Sequence, residues 1–96
     1  MRKYEIMYII NSKLEEENRN KVIEDLHGII TSNGGKITDV NQMGLKDFAY
    51  RIEDMTKGYY VVTYFEADND ALKEFDRLIG INSNVVRYMI INKEEQ

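Results

Sequence analysis

Residues that could carry acid–base or nucleophilic chemistry are few in this sequence. His27 is the single histidine, and there is no cysteine. His27 follows Leu26 within an apolar helical pattern, which favours a place beside the core over a catalytic role. The serine and threonine hydroxyls lie in no motif that contains a histidine, so no nucleophile–base pair is visible. We therefore expect a protein that is not an enzyme.

Carboxylates and glycines also cluster, but their spacing does not fit a metal or phosphate site. Asp68 and Asp70 open like a calcium loop, yet Leu72 occupies the next ligand position and the loop glycine is missing. Residues 15–17 are glutamates at a predicted helix start, where the helix dipole favours negative charge. The glycines at 34–35 lack the Gly-Lys-Ser continuation of a phosphate loop. The sequence thus predicts no metal, no cofactor and no small-molecule substrate.

The length and charge of the chain limit the classes of protein to which it can belong. Ninety-six residues can form one core, and 43% hydrophobic with 31% charged residues is typical of a globular domain. The N-terminus runs directly into a strand pattern that contains Glu5, which argues against a signal peptide. Together with the absence of cysteine, this predicts a cytoplasmic location. The net charge of −4 gives little unspecific attraction to nucleic acid, so any contact with RNA must be local.

Hydrophobic periodicity predicts four strands, where apolar and aromatic residues alternate or cluster. Gly44 interrupts the second strand and predicts a bulge there. A turn is expected at 53–58, before the third strand. The four strands are predicted at 2–10, 36–51, 59–65 and 85–91.

Two helices are predicted between these strands. Ser12 and Glu15 have the spacing of a capping box at the start of the first helix, and the glycines at 34–35 supply its left-handed stop. Asp68 or Asp70 can cap the second helix. That helix is expected to end within 80–84.

The βαββαβ order predicts an α+β, ferredoxin-like fold, with two helices on one face of a four-stranded antiparallel sheet. We expect one domain at 1–92 and a short C-terminal tail at 93–96. One sheet face stays uncovered in this fold. Both alternating sets of strand residues are apolar, since Met7 alternates with Ile6 and Tyr8. We therefore expect the uncovered face, or an edge beside it, to dock a partner.

Two alternatives share this strand order. Residues 57–64, Lys-Gly-Tyr-Tyr-Val-Val-Thr-Tyr, partly match the central-strand motif of the RNA recognition motif. Tyr60 stands where that motif has a small residue, and Val61 where it has a stacking aromatic ring. This alternative predicts loss of single-stranded RNA binding when Tyr59 or Tyr64 becomes leucine. The other alternative is a regulatory module that self-associates through its sheet as a stable homodimer.

Residues 44–52, Gly-Leu-Lys-Asp-Phe-Ala-Tyr-Arg-Ile, resemble the signature of the bacterial small-subunit ribosomal protein six family. That signature runs glycine, any residue, basic, polar, leucine, alanine, tyrosine, any residue, isoleucine, and only Phe48 departs from it. The likeness continues in the opening at 2–5, the glycines at 34–35, the entry to the third strand at 58–60 and the stretch at 84–87. Departures stand at Ser12, where the family often has proline, and at Gly80 and Asn82, where it often has basic residues.

The resemblance implies a cytoplasmic, ribosome-associated structural component of the small ribosomal subunit. It implies binding to the central domain of 16S ribosomal RNA jointly with ribosomal protein eighteen, as a protein heterodimer. Because this chain is acidic, the partner is expected to supply much of the positive charge. The family pattern implies RNA contacts at Arg2, Tyr4 and Arg87, with Lys3, Lys46, Arg51 and Lys93 as further contacts.

Overall fold

Six elements follow one another in the computed structural model, which describes residues 1–52 and 54–93, without the side chain of Ala49. Their order confirms the predicted strand–helix–strand–strand–helix–strand succession. The observed strands extend one to four residues beyond the predicted ends, because pairing with a neighbour continues where the apolar pattern stops. The elements are β1 (Arg2–Asn11), α1 (Glu16–Ser32), β2 (Lys36–Ile52), β3 (Met55–Ala67), α2 (Asn69–Gly80) and β4 (Val85–Asn92).

The described strands form one sheet in the order β2-β3-β1-β4, and all neighbours are antiparallel. On the central strand β1, Tyr4 stands opposite Phe65 on β3 and opposite Asn92 on β4. Each helix connects two parallel strands that flank a third, which is the split crossover of the ferredoxin-like fold. The predicted fold class is confirmed.

The core lies between the helices and one face of the sheet. On β1 it takes alternate residues, because successive side chains of a strand point to opposite faces. On the helices it takes residues three and four positions apart, which share one face. The buried cluster consists of Tyr4, Ile6, Tyr8 and Ile10 from β1; Val22, Ile23, Leu26 and Ile30 from α1; Val61, Phe65 and Ala67 from β3; and Ala71, Phe75 and Ile79 from α2.

The start of α1 differs from the prediction. Ser12 does not cap the helix, because the N-cap position falls on Glu15 and the helix begins at Glu16. Residues 12–14 form a turn instead, in which the Asn11 side chain accepts a hydrogen bond from the Lys13 backbone amide at 2.9 Å. At α2 the predicted cap position is confirmed at Asp68. Neither N-cap side chain makes a capping hydrogen bond within the described part of the chain.

Two glycines adopt the left-handed backbone that the sequence requires of them. Gly34 has φ +85° directly after α1, which confirms the predicted helix stop. Gly44 has φ +89°, and the pairing between β2 and β3 shifts register there, which confirms the predicted bulge.

The turn between β2 and β3 is shorter than predicted, since β3 already begins at Met55. Asp54 has φ +62° in this turn, and Glu53 lies outside the described residues. The tail predicted at 93–96 is described only at Lys93, so residues 94–96 also lie outside. No helix in residues 1–52 and 54–93 is both long and apolar enough to span a bilayer.

His27 lies beside the core, as the sequence predicted. Its Nε2 is 3.2 Å from Oγ1 of Thr63, a fully buried hydroxyl on β3. Burial lowers the pKa of His27, because the charged imidazolium loses hydration. His27 therefore serves as a neutral contact between α1 and the sheet.

This environment makes stability depend on pH. The folded state binds the His27 proton less tightly than the unfolded chain, whose pKa is about 6.5. The His27 contribution should therefore be full above about pH 6.5 and should decline as pH falls from there through the lowered folded-state pKa. Urea unfolding between about pH 5 and pH 8 measures it. H27Q should flatten this part of the profile, and an unchanged profile would contradict the assignment.

Candidate functional site

The sheet face that points away from the helices carries the candidate site, and we call it the free face. Ile9 and Val62 are buried but do not belong to the core cluster, so they mark an apolar surface on the opposite side of the sheet. The other residues of the free face follow from strand register, because every second residue of a strand points to the same face. The free face comprises Lys3, Glu5, Met7 and Ile9 from β1; Gly58, Tyr60, Val62, Tyr64 and Glu66 from β3; and Arg87, Met89 and Ile91 from β4.

An apolar band crosses the middle of the free face. Met7 stands opposite Met89 on β4 and opposite Val62 on β3. Met89 is 51% exposed, a large fraction for an apolar side chain in a strand. An open groove of about 240 Å³ runs beside this band and is lined by Met7, Ile9, Arg87, Tyr88 and Met89. The apolar character of both faces, predicted from the strand pattern, is confirmed.

Aromatic rings continue the apolar band toward β2. Phe48 and Tyr60 lie with ring centroids 6.4 Å apart. A β-carbon on Gly58 would collide with Phe48 and Ile9, so these two side chains pack directly over the glycine backbone. The signature stretch at 44–52 thus contributes a ring to the free face, and Gly58 leaves the room that this ring needs.

Charge divides between the two layers of the molecule. The four strands hold seven basic and four acidic residues, whereas the two helices hold seven acidic and four basic residues. The helices therefore carry a net charge of −3 and the strands a net charge of +3. The sheet is the side of the molecule on which a nucleic acid meets the least repulsion.

Three of the basic residues expected at RNA lie together at one end of the sheet. Arg2 and Lys3 open β1, and Lys93 follows the paired end of β4. All three side chains are exposed. The Lys93 ammonium lies 3.2 Å from the Glu5 carboxylate on the free face. Lys3 and Lys93 therefore lie on the free face at this end, whereas Arg2 has the strand parity of the opposite face.

The remaining predicted cations lie elsewhere. Arg87 stands opposite Ile9, six residues along β1 from Lys3, which corresponds to about 20 Å. Lys46 stands opposite Gly58 on the long β2–β3 hairpin, and Arg51 lies farther out along that hairpin. The structure thus distributes the predicted contacts over two ends of the sheet and one hairpin, and it brings them into no single pocket.

Tyr4 differs from the other predicted contacts because it is a core residue. Its side chain is 3% exposed, and its ring centroid lies 5.6 Å from that of Phe65. Tyr4 shares the strand face of Ile6 and Tyr8, which places the ring under the helices. Such burial argues against a ring contact with RNA, and the proposal below leaves Tyr4 out.

Strand register contradicts the RNA-recognition-motif alternative at Tyr59 and Val61 but places its last aromatic residue, Tyr64, on the free face. In that motif the stacking positions of residues 57–64 would be Tyr59 and Val61. Tyr59 stands opposite the core residue Ile10, and Val61 is fully buried in the core. Both therefore face the helices, where the Arg19 guanidinium lies 4.0 Å from the centre of the Tyr59 ring. The free face carries Tyr60 and Tyr64 instead.

Sequence reasoning missed Tyr60 and Lys36 as residues of the sheet surface and reached Tyr64 only through the RNA-recognition-motif alternative. The parity of β3 could have identified the two tyrosines, since Thr63 and Phe65 alternate with them. Lys36 could not be placed in the same way, because a register shift separates Ile37 from Asp39 in the pairing of β2 with β3. In residues 1–52 and 54–93, no group of three or more histidine or acidic side chains could hold a metal ion.

Comparison with known proteins agrees with the fold and with the signature stretch. The family model described as ribosomal protein S6 matches residues 3–92. The small ribosomal subunit protein bS6 of Halalkalibacterium halodurans is 48% identical over 95 residues, covering 99% of this chain and 100% of that protein. The protein of the same name from Shouchella clausii is 46% identical over 96 residues, covering 100% of both.

A solved structure gives the same result for the architecture. The crystal structure of 30S ribosomal protein S6 from Thermotoga maritima superposes with a TM-score of 0.92 at 33% sequence identity, covering 98% of this chain and 89% of that chain. The match includes both helices and the antiparallel sheet. The chain therefore belongs to the ribosomal protein S6 family, a family of structural proteins of the small ribosomal subunit and not of enzymes.

Proposed function

We propose that this chain binds the central domain of 16S ribosomal RNA as a heterodimer with ribosomal protein eighteen, and that the free face docks this protein partner. The apolar band of Met7, Val62 and Met89 carries the proposal, because a surface of this kind is costly to leave in water and typical of an interface. Family membership gives the setting, which is the cytoplasmic ribosome.

The charge of the chain explains why a protein partner would be needed. With a net charge of −4, the isolated chain gains little from counterion release on RNA. A basic partner seated on the apolar band would add positive charge beside Arg87 and the cations at the Lys3 end. The heterodimer would then offer RNA a surface that neither protein offers alone.

The test is RNA binding with and without the partner. A filter-binding or calorimetric titration of a central-domain RNA fragment should show weak binding by this chain alone and tight binding after ribosomal protein eighteen is added. Tight, partner-independent binding would overturn the proposal. A stable homodimer in sedimentation that takes up no partner would favour the self-associating module instead.

The same binding assay can test whether Arg87 contacts the RNA. Its exposed guanidinium borders both the apolar groove and a second cavity beside Gly80. R87A should weaken the ternary complex by roughly 1–3 kcal/mol if this group makes a charged hydrogen bond there. R77A is the matched control, because Arg77 is exposed on α2 and pairs with Glu74 on the same helix. Equal effects of the two variants would reduce Arg87 to ordinary surface charge.

A further inference from the structure

An open cavity of about 310 Å³ lies at the Lys3 end of the sheet, away from the apolar band. Its lining consists of Lys3, Tyr4, Thr38, Tyr64, Phe65, Glu66 and Lys93. We call it the Tyr64 pocket. It differs from the groove beside Met89 because it combines an aromatic wall with ammonium groups.

The Tyr64 ring is the free aromatic surface of this pocket. Tyr64 stands opposite Glu5 on the free face and is half-buried. In residues 1–52 and 54–93 its ring takes part in no ring–ring or ring–cation contact, whereas Tyr60 is paired with Phe48. The backbone beside it is fixed, because the Thr38 hydroxyl donates a 3.0 Å hydrogen bond to the Tyr64 carbonyl oxygen. The pocket therefore offers one unoccupied aromatic ring on a rigid strand.

Strand register places a third lysine in the same row. Glu66 stands opposite Lys3 on β1 and opposite Lys36 on β2. With Lys93, this row holds three ammonium groups and one carboxylate, whereas the next row places Glu5 and Asp39 on either side of Tyr64. The pocket as a whole is therefore neutral, and its positive charge is confined to the lysine row at the strand ends. This lysine row is the part of the pocket that attracts a phosphate group.

We propose that the Tyr64 pocket binds one unpaired RNA nucleotide, with its base stacked on the Tyr64 ring and the neighbouring phosphates at Lys3 and Lys36. Aromatic rings beside a cationic groove are the arrangement with which proteins hold single-stranded nucleic acid. Glu66 can accept hydrogen bonds from amino groups of the base. This inference rests on the proposed RNA binding and adds a subsite to it. Tyr64 stands opposite Glu5, four residues along β1 from the partner of Arg87, which corresponds to about 14 Å.

Tryptophan fluorescence can report on this pocket directly, because the chain contains no tryptophan. Y64W places the only indole on the pocket wall, and Y50W places one on the exposed hairpin as a control. Both variants are assembled with ribosomal protein eighteen, and the central-domain RNA fragment is then added. Stacking of a base should quench the emission of Y64W strongly and leave the emission of Y50W nearly unchanged.

Affinity measurements make the test independent of the fluorophore. Y64L should weaken RNA binding by the heterodimer about tenfold, which is the scale of one lost base stack. K3Q and K36Q should each lower the slope of log affinity against log salt by about 0.7, as expected for one lost single-strand phosphate contact. K73Q, on the exposed surface of α2, should leave the slope unchanged. Thermal unfolding of each variant shows that the fold is intact.

The outcomes separate this inference from the proposed function. If the native heterodimer binds RNA but Y64L binds equally well and Y64W is not quenched, the pocket is overturned and the proposed function stands. If the native heterodimer does not bind RNA, the proposed function fails first. A shift of Y64W emission on addition of ribosomal protein eighteen alone would show that the pocket contacts protein, which also overturns the inference.

Discussion

Replacement of Met89 by lysine should weaken the heterodimer with ribosomal protein eighteen about 100-fold without unfolding this chain. Met89 stands opposite Met7 in the apolar band and is 51% exposed, so the isolated chain loses little when it becomes polar. In the complex, an ammonium group would be buried against apolar atoms, or would face a partner that is itself basic. Loss of about 2.7 kcal/mol of binding free energy corresponds to the 100-fold change.

Calorimetric titration with the purified partner measures this effect. I81K is the matched control, because Ile81 is 70% exposed in the turn between α2 and β4, away from the free face. I81K should bind the partner with native affinity. If M89K binds the partner normally and gains affinity for RNA, the apolar band is an RNA surface, and the proposal that the free face docks ribosomal protein eighteen is wrong.

The order and type of the six elements could be predicted because each has a strong local signal. Alternation in β1, the glycine stop at Gly34 and the interruption at Gly44 are all short-range features, and all three are confirmed. The prediction that Ser12 caps α1 was wrong, although its spacing to Glu15 fits a capping box. Asn11 extends β1 and binds the Lys13 amide, so the chain turns before the helix can start.

Strand faces were harder to assign because both sets of alternating residues are apolar. The likeness of residues 57–64 to an RNA-binding strand needed Tyr59 and Tyr64 to share one outward face, and the register with β1 turns Tyr59 toward the helices while Tyr64 stays on the free face. Tyr4 could have been placed from its parity with Ile6 and Tyr8, but the family pattern outweighed that signal. The Tyr64 pocket depends on pairing across three strands and on a register shift in β2, which no single stretch of sequence specifies.

Truncation of Tyr4 should lower the free energy of unfolding by about 3–5 kcal/mol, whereas removal of its hydroxyl should leave RNA binding unchanged. The Tyr4 ring packs against Phe65, and Phe65 lies 5.6 Å from Phe75 on α2, so this chain of rings joins β1, β3 and a helix. Y4A would leave a large cavity at that junction. Urea unfolding measures the loss, and Y50A is the control, because Tyr50 is 74% exposed and should change stability by less than about 0.5 kcal/mol.

Y4F keeps the ring and should bind RNA, with the partner present, as tightly as the native chain. A tenfold loss of RNA affinity in folded Y4F would show that the hydroxyl contributes to RNA binding and would restore Tyr4 as an RNA contact.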